Sequence, residues 1–230
     1  MARSPRIAVS GYPHHVIQWG NNRQLIFLSD EDYKFYIDCF LRAREKYRCR
    51  IYAYCLMRNH VHFLIKPSDS QGLSGLLQSV GRRYVQYFNW RHRRNGTLWQ
   101  GRFRISLVSM DDYLLACCRY IELNPVRAKV VAHPRDYRWS SYRFHGEGTK
   151  DALLDVDSCY LGLGDSDAQR QQSYRQFVEA GNPEHELAII RTSVHRGGIT
   201  AGRSYIRGFS SRLSCQLKLR PRGRPRIIQK

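Results

Sequence analysis

The sequence predicts an α+β fold of the ferredoxin-like type, in which an antiparallel sheet has helices packed on one face and a C-terminal helical and basic extension follows. Three observations predict it: short apolar runs with strand-like alternation, intervening segments with helical spacing, and the order βαββαβ followed by one more helix. With 230 residues, the chain is long enough for one well-buried domain plus an appendage, or for two small domains.

The first strand and the first helix are marked by a change of hydrophobic period. His14–Gly20 has the alternating, β-branched character of a strand, and Asn21 and Asn22 end it. Ser29 is a suitable N-cap because three acidic residues follow it in the first helical turn. Apolar side chains at helical spacing then predict an amphipathic helix to about Lys46.

A hairpin, a second helix and a fourth strand follow. Ile51–Met57 and His60–Lys66 predict two strands joined by a tight turn at residues 58–59. Apolar side chains at helical spacing over residues 73–84 predict the second helix. Gln100–Val108 is the candidate fourth strand, which completes the ferredoxin-like order.

The remaining sequence predicts the domain organisation. A third helix over Asp111–Leu123 is stopped by Pro125, which lacks the N–H that a helix interior needs. We expect one domain over residues 1–145, a linker rich in Gly, Asp and Ser over 146–167, and an accessory extension over 168–230 that is partly helical and ends in a basic tail.

The charge of the chain indicates its partner. Lys and Arg number 38 against 19 Asp and Glu, a formal net charge of +19, which predicts nucleic acid first and membrane lipid second. No apolar run approaches the ~20 residues that span a bilayer, and no secretory signal is visible. Seven cysteines without a C-x-x-C pair disfavour a disulfide framework or zinc ribbon. We expect a cytoplasmic, nucleoid-associated protein with no membrane partner.

One segment concentrates arginine and aromatic residues. Residues 81–104 contain seven arginines and no acidic residue. Arginines for phosphates and flat rings for bases are what a groove for single-stranded nucleic acid requires. A solvated helix face is the alternative, which the lack of acidic counter-charges disfavours. The candidate DNA-binding residues here are Arg82, Arg83, Arg91, Arg93, Arg94, Trp99, Arg102 and Arg104.

Two histidines share one face of the third predicted strand. Side chains alternate along a strand, so His60 and His62 project together while Val61 and Phe63 enter the opposite face. Two adjacent imidazoles suit a divalent metal ion better than an apolar core. Because H-x-H arises often by chance, two partly exposed strand histidines are the alternative.

Tyr120 and Asn124 provide the context for that pair. They are four residues apart and therefore lie on one face of the third helix. Each also has a structural explanation: Tyr120 as a core residue with its hydroxyl at the rim, and Asn124 as the cap of a helix that ends before Pro125.

Taken together, these features resemble the single-tyrosine HUH transposase family, and most closely its REP-associated tyrosine transposases. The resemblance covers residues from about Gly11 to Arg143. It rests on the stretches HHVIQWGNNR, CLMRNHVHFLIKP, LWQGRFR and YIELNPVRAKVV, which occur in the family's order.

The resemblance implies a metal-dependent enzyme that cleaves and rejoins single-stranded or hairpin DNA. Tyr120 would be the nucleophile and form a 5′-phosphotyrosine intermediate, and Tyr113 is the second candidate. His60 and His62 would hold Mg²⁺ or Mn²⁺ with an oxygen ligand from Asn124, a position at which many family members have glutamine. No small organic cofactor is implied, and the enzyme would act as a monomer or homodimer. His14 and His15 are expected to be strand residues, one facing solvent, rather than ligands.

The end of the chain contains a second nucleic-acid motif. Residues 221–225, PRGRP, match the core of an AT-hook, in which Arg222 and Arg224 would lie in a narrow A·T minor groove. A generic basic tail that binds any phosphate backbone explains the same residues.

Two other functions fit parts of the sequence. A non-catalytic DNA-binding regulator on the same fold has no need for the intact set of His60, His62, Tyr120 and Asn124. A replication initiator or plasmid relaxase with the same site usually carries an additional helicase or primase domain, for which 230 residues leave little room.

Overall fold

The computed structural model describes residues 8–202, so Arg222 and Arg224 and the predicted AT-hook lie outside the described residues. Five strands are present, at β1 His14–Trp19, β2 Cys49–Met57, β3 His60–Pro67, β4 Arg104–Val108 and β5 Ile199–Thr200. Eight α-helices accompany them in the same described residues, at α1 Asp30–Arg44, α2 Gly72–Arg91, α3 Met110–Glu122, α4 Asn124–Arg127, α5 Tyr142–Glu147, α6 Ser158–Leu161, α7 Asp167–Glu179 and α8 Glu184–Arg196. Within the described part of the chain, no helix is long and apolar enough to cross a membrane.

The sheet confirms the predicted fold class. Its strand order is β2-β3-β1-β4-β5, and the first four strands pair antiparallel in the ferredoxin-like arrangement. The short β5 is an addition that runs parallel to β4, with Leu107 opposite Ile199. The hairpin between β2 and β3 turns at Arg58 and Asn59, as predicted, because Met57 pairs with His60.

Both faces of the sheet are covered. Helices α1 and α2 pack on the face that carries Val61 and Phe63, around side chains such as Tyr36 and Leu76. Helices α3, α7 and α8 cover the opposite face, around Cys117 and its neighbours. The helices therefore extend beyond the one face that the sequence predicted, and the second layer comes from α3 and the segment that follows it.

The helix ends follow local signals. Ser29 occupies the N-cap position of α1, and the carboxylate of Asp32 in the first turn accepts the backbone N–H of Ser29 at 3.0 Å. Helix α3 ends at Glu122, and Pro125 opens the separate short helix α4 rather than a loop. Proline is accepted there because a first-turn residue has no intrahelical partner for its N–H.

The predicted linker 146–167 is a packed connection. Leu153 and Leu154 are buried in the cluster beneath α1. Asp155 accepts hydrogen bonds from Arg44 at 2.7 Å and from the backbone N–H of Ile51 at 2.9 Å, which ties this segment to the edge strand β2. The described part of the predicted extension, α7 and α8, packs on α3.

One prediction about β1 is wrong. His14 and His15 were expected to place one ring in solvent, but both are fully buried. Alternation does send the two rings to opposite faces, and each face is covered by helices. His14 accepts the backbone N–H of Val9 at 3.0 Å, whereas His15 faces α3.

Candidate active site

His60 and His62 leave β3 on the same face, with ring centroids 5.1 Å apart and an interplanar angle of 75°. The sheet register places His62 between Ile17 of β1 and Cys55 of β2. His62 is buried and His60 is half-buried. The pair therefore lies in the middle of the sheet, at the edge of the region that α3 covers.

Helix α3 brings Tyr120 to this pair. The Tyr120 ring lies edge-on to His62, with centroids 6.0 Å apart, and edge-on to His15 at 5.6 Å. Tyr113, the second candidate nucleophile, is half-buried against the apolar cluster between α3 and the sheet. The structure thus assembles three of the four predicted chemical residues, His60, His62 and Tyr120, on one face.

A buried polar network holds α3 in this position. The fully buried carboxylate of Glu122 accepts hydrogen bonds from Ser141 at 2.5 Å, His145 at 2.7 Å and Tyr174 at 2.7 Å. These partners come from α5 and α7 and from the residue before α5, so the network joins α3 to the later helices. The sequence analysis missed Glu122, although an acidic residue on the apolar side of a helix in so basic a chain was a usable signal.

His15 is a second residue that the sequence analysis missed. Its Nε2 lies 2.9 Å from Nδ1 of His62, and the two rings are stacked with centroids 5.2 Å apart. The signal was the alternation of β1, which puts His15 and Ile17 on one face. The pairing of Ile17 with His62, which makes that face the functional one, needed the sheet register.

All three histidines are held in the neutral form. Burial, followed by the charges of Arg127 and His195, lowers the pKa of His15 to about 3. Burial and then the charge of Arg23 lower the pKa of His60 to about 4. Burial also lowers the pKa of His62 well below its usual value. Neutral imidazole is the form that binds a metal ion.

The donor set fits a metal ion on the two ε nitrogens. Nδ1 of His60 lies 2.7 Å from Oδ1 of Asn59, which can only accept, so His60 carries its proton on Nδ1 and leaves Nε2 with a lone pair. If His62 has the same tautomer, its Nδ1–H donates to Nε2 of His15 and its own Nε2 is available. Hydrogen bonds of this kind orient metal-binding histidines.

A third ligand would have to come from another residue type. Within residues 8–202, no cluster of three or more His, Cys, Asp or Glu side chains has metal-binding geometry. Asn124 donates from Nδ2 to the carbonyl oxygens of Tyr120 and Ile121, both at 3.0 Å, and so caps the end of α3. Its role as an oxygen ligand remains a prediction.

Arg127 is the third missed residue. Its guanidinium carbon lies 4.2 Å from the centroid of the Tyr120 ring, and it donates to the carbonyl oxygen of Tyr120. Helical hydrogen bonds continue from α3 into α4, with the backbone N–H of Arg127 donating to the carbonyl oxygen of Leu123 at 2.9 Å, so a residue seven positions after Tyr120 returns to the same side. The expectation that Pro125 ends the helical path hid this relationship.

Comparison with known proteins identifies the family of the chain. The family model described as "Transposase IS200 like" matches residues 8–124, about half of the chain. The chain belongs to the IS200-like transposase family. The matched region contains β1 to β4 and α3, and hence every histidine of the site, Tyr120 and Asn124.

Two solved structures are similar to this transposase. The REP-associated tyrosine transposase bound to a REP hairpin shares 16% sequence identity and has a TM-score of 0.56, and the match covers 68% of this chain and 93% of that chain. A putative transposase from Deinococcus radiodurans R1 shares 18% identity with a TM-score of 0.36, over 59% of this chain and 98% of that one. The first likeness shows the shared fold. The search of curated protein sequences finds no match.

The predicted DNA-binding arginines of this transposase lie on or beside α2. Most are exposed, namely Arg82, Arg83, Arg91, Arg93, Arg102 and Arg104. Arg94 is half-buried and donates to Gln24 at 2.7 Å. Arg104 lies 5.2 Å from the centroid of the Trp19 ring, which pairs in register with His60. The arginine-rich segment therefore extends from the outer end of α2 to the rim of the histidine site.

The two tryptophans of this segment differ in exposure. Trp99 is 8% exposed and packs among Tyr36 and Tyr84 in the core, which leaves little of its ring for a base. Trp90, which was not among the predicted DNA-binding residues, is 78% exposed near the end of α2. Of the two rings, Trp90 is therefore the one that is accessible at the surface.

A cleft of about 580 Å³ lies between α2 and the loop before β4. Arg82 and Arg102 line it together with apolar side chains, including Val85 and Phe103. Cations beside apolar walls suit a nucleic-acid strand, in which charged phosphates alternate with flat bases.

Proposed function

We propose that this transposase cleaves and rejoins single-stranded DNA through a covalent link to Tyr120. The observation that carries the proposal is the position of the Tyr120 ring, about 6.0 Å from His62 and beside the neutral, hydrogen-bonded histidines of the sheet. A regulator that only binds DNA has no use for a tyrosine held against His62, one of the two proposed metal ligands.

The proposed cleavage is a transesterification. The phenol oxygen of Tyr120 attacks the phosphorus, its proton passes to water, and the P–O3′ bond breaks. The leaving 3′ oxygen takes up a proton, so the products are a 5′-phosphotyrosine and a free 3′-OH. Because the number of ester bonds is conserved, a second 3′-OH can reverse the step and join strands without ATP.

The residues of the site also have a role in charge neutralisation. His60 and His62 would hold Mg²⁺ or Mn²⁺ through Nε2, and Asn124 is the proposed oxygen ligand. When bound, such an ion polarises a phosphoryl oxygen and offsets the negative charge of the phosphate. His15 orients His62, and the covering helices exclude water from the buried side of the site.

Hairpin-forming repeats are the proposed substrate. The solved transposase that shares the fold was bound to a REP hairpin, and the exposed arginines along α2 supply cations for its phosphates. We assign catalysis to residues 1–145 and an accessory DNA-binding role to residues 168–230, including Arg222 and Arg224.

The test is a denaturing gel assay for covalent protein–DNA adducts with Mg²⁺ or Mn²⁺. Labelled hairpin oligonucleotides from repeats in the host genome are the substrates, and Tyr120→Phe and Tyr113→Phe are the matched variants. We expect an adduct in the wild type and in Tyr113→Phe, none in Tyr120→Phe, and none with EDTA. An adduct that persists in Tyr120→Phe would transfer the role to Tyr113. Tight hairpin binding without any adduct would favour the non-catalytic regulator.

Asn124 needs a separate comparison because it already caps α3. We expect Asn124→Ala to weaken metal-dependent cleavage more than hairpin binding. Equal losses of both would assign Asn124 a structural role only.

A further inference from the structure

Arg127 occupies an unusual position for an arginine. It is half-buried on α4, with its guanidinium over the face of the Tyr120 ring at 4.2 Å. One hydrogen bond, to the carbonyl oxygen of Tyr120, is seen in the described structure. A guanidinium has five N–H donors in a rigid planar fork, so most of its donor capacity is not used by that bond.

The charge of Arg127 has no acidic partner among the side chains that the structure describes. Other buried arginines do: Arg119 pairs with Glu186 at 2.6 Å and Arg44 with Asp155 at 2.7 Å. Burial lowers the pKa of Arg127 and the charge of Arg191 lowers it further, while Tyr120 opposes this shift. The guanidinium is thus partly removed from water without a compensating anion.

We propose that Arg127 is a phosphate-binding residue of this site, whose guanidinium pairs with the scissile phosphate beside Tyr120. This inference rests on the proposed function. Burying a cation away from water costs free energy unless an anion pairs with it. The planar guanidinium can donate to two phosphate oxygens at once. Arg127 remains protonated throughout, and the bonds that form and break are those of Tyr120 and the phosphodiester.

A purely structural role makes a different prediction. Capping a carbonyl and covering an aromatic ring explain the contacts of Arg127 with Tyr120, but these contacts are complete without DNA. If they were its whole function, replacement of Arg127 would change folding stability without changing how the protein responds to a phosphate group.

The first experiment uses inorganic phosphate as the probe. Thermal unfolding is followed as phosphate is added at constant ionic strength, for wild type, Arg127→Gln and the control Lys129→Gln, which removes an exposed cation two residues after the end of α4. We expect saturable stabilisation in wild type and control, and at least tenfold weaker phosphate binding in Arg127→Gln. If Arg127→Gln does not fold, Arg127→Lys is measured in its place, because lysine keeps the charge but lacks the planar guanidinium. Equal responses in all proteins would overturn the proposal.

The second experiment replaces the scissile phosphate, once mapped, by an uncharged methylphosphonate. Hairpin affinity is measured in the Tyr120→Phe background, which keeps the ring under the guanidinium. We expect the methylphosphonate to weaken binding about 10- to 100-fold, and to cause almost no further loss when Arg127→Gln is also present. An equal loss with and without Arg127→Gln would contradict the pairing. If wild type forms no adduct, the proposed function fails, while the phosphate titration still decides on Arg127.

Discussion

The histidine–tyrosine centre and the arginine-rich segment around α2 are built in opposite ways. In the centre, His15 and His62 are buried, neutral and hydrogen-bonded to each other. Along α2, Arg82, Arg83 and Arg91 are exposed at the surface. The first region is largely buried, and the second is exposed to water.

This difference in solvent exposure suits the buried centre to catalysis and the exposed arginines to DNA affinity. A desolvated site gives strong, directional interactions with a reacting phosphate, because water does not compete there. Exposed cations bind DNA mainly by releasing its counterions. Their contributions to affinity therefore add up and decrease as the salt concentration rises. Mutations in the two regions should therefore change different measured quantities, and the following tests use that expectation.

The largest effect is expected at the centre. His60→Ala removes a proposed ligand from a half-buried position, so the fold should survive. We expect single-turnover adduct formation to fall by about 10³-fold, since a bound metal supplies several kcal/mol of transition-state stabilisation. Hairpin affinity should stay within about twofold in EDTA. Calorimetric titration with Mn²⁺ provides the direct check, and unchanged Mn²⁺ binding would remove His60 from the ligand set.

Trp99 and Trp90 allow a matched comparison of core and surface. Trp99→Ala should lower the free energy of unfolding by about 3–5 kcal/mol, because it leaves a cavity between α2 and the sheet. Trp90→Ala should change stability by less than about 0.5 kcal/mol and weaken single-stranded DNA binding by about 1–3 kcal/mol through lost stacking. Urea unfolding and fluorescence anisotropy give the two quantities. If Trp99→Ala weakened DNA binding and Trp90→Ala did not, Trp99 rather than Trp90 would be the DNA-binding residue.

The pH dependence of stability tests the neutral centre. Because burial lowers the pKa of folded His15 to about 3, the unfolded chain takes up the proton first as the pH falls. Stability is therefore lost below an unfolded pKa of about 6.5, and between pH 7 and 5 His15 should account for about 2 kcal/mol of this loss. His15→Gln should reduce the loss by that amount.

The control for this prediction is His133→Gln, which replaces an exposed histidine. Urea unfolding at the two pH values measures the difference for each protein. A His15→Gln protein that loses as much stability as wild type would show that His15 is not a buried neutral group.

The smallest effect on DNA binding is expected when surface arginines are replaced. The double variant Arg82→Gln/Arg91→Gln should lower the slope of log affinity against log salt by about 1.4, or about 0.7 for each lost contact with a single strand. Adduct formation at saturating DNA should not change. Arg42→Gln/Arg138→Gln is the control, because these exposed arginines already pair with Asp38 and Asp30. An equal change of slope in both variants would indicate that net charge, rather than this surface, sets the affinity.

Much of the architecture could be predicted because its signals are local. Ser29 and Asp32 lie within one turn and begin α1 in the structure as they do in the sequence. Residues 58 and 59 form the hairpin turn since two alternating runs flank them directly. The shared face of His60 and His62 follows from the period of a strand alone.

The sequence by itself thus determined the ferredoxin-like order, the shared face of the two histidines and the candidate nucleophile Tyr120. Tertiary structure alone decided that His15 supports His62, that Arg127 covers Tyr120, and that Trp99 is buried while Trp90 is exposed. The physical reason is that periodicity specifies which side chains share a face, but not what packs against that face. The covering elements here, α3, α4 and the later helices, are brought onto the sheet by contacts between residues distant in sequence, such as Glu122 with Tyr174.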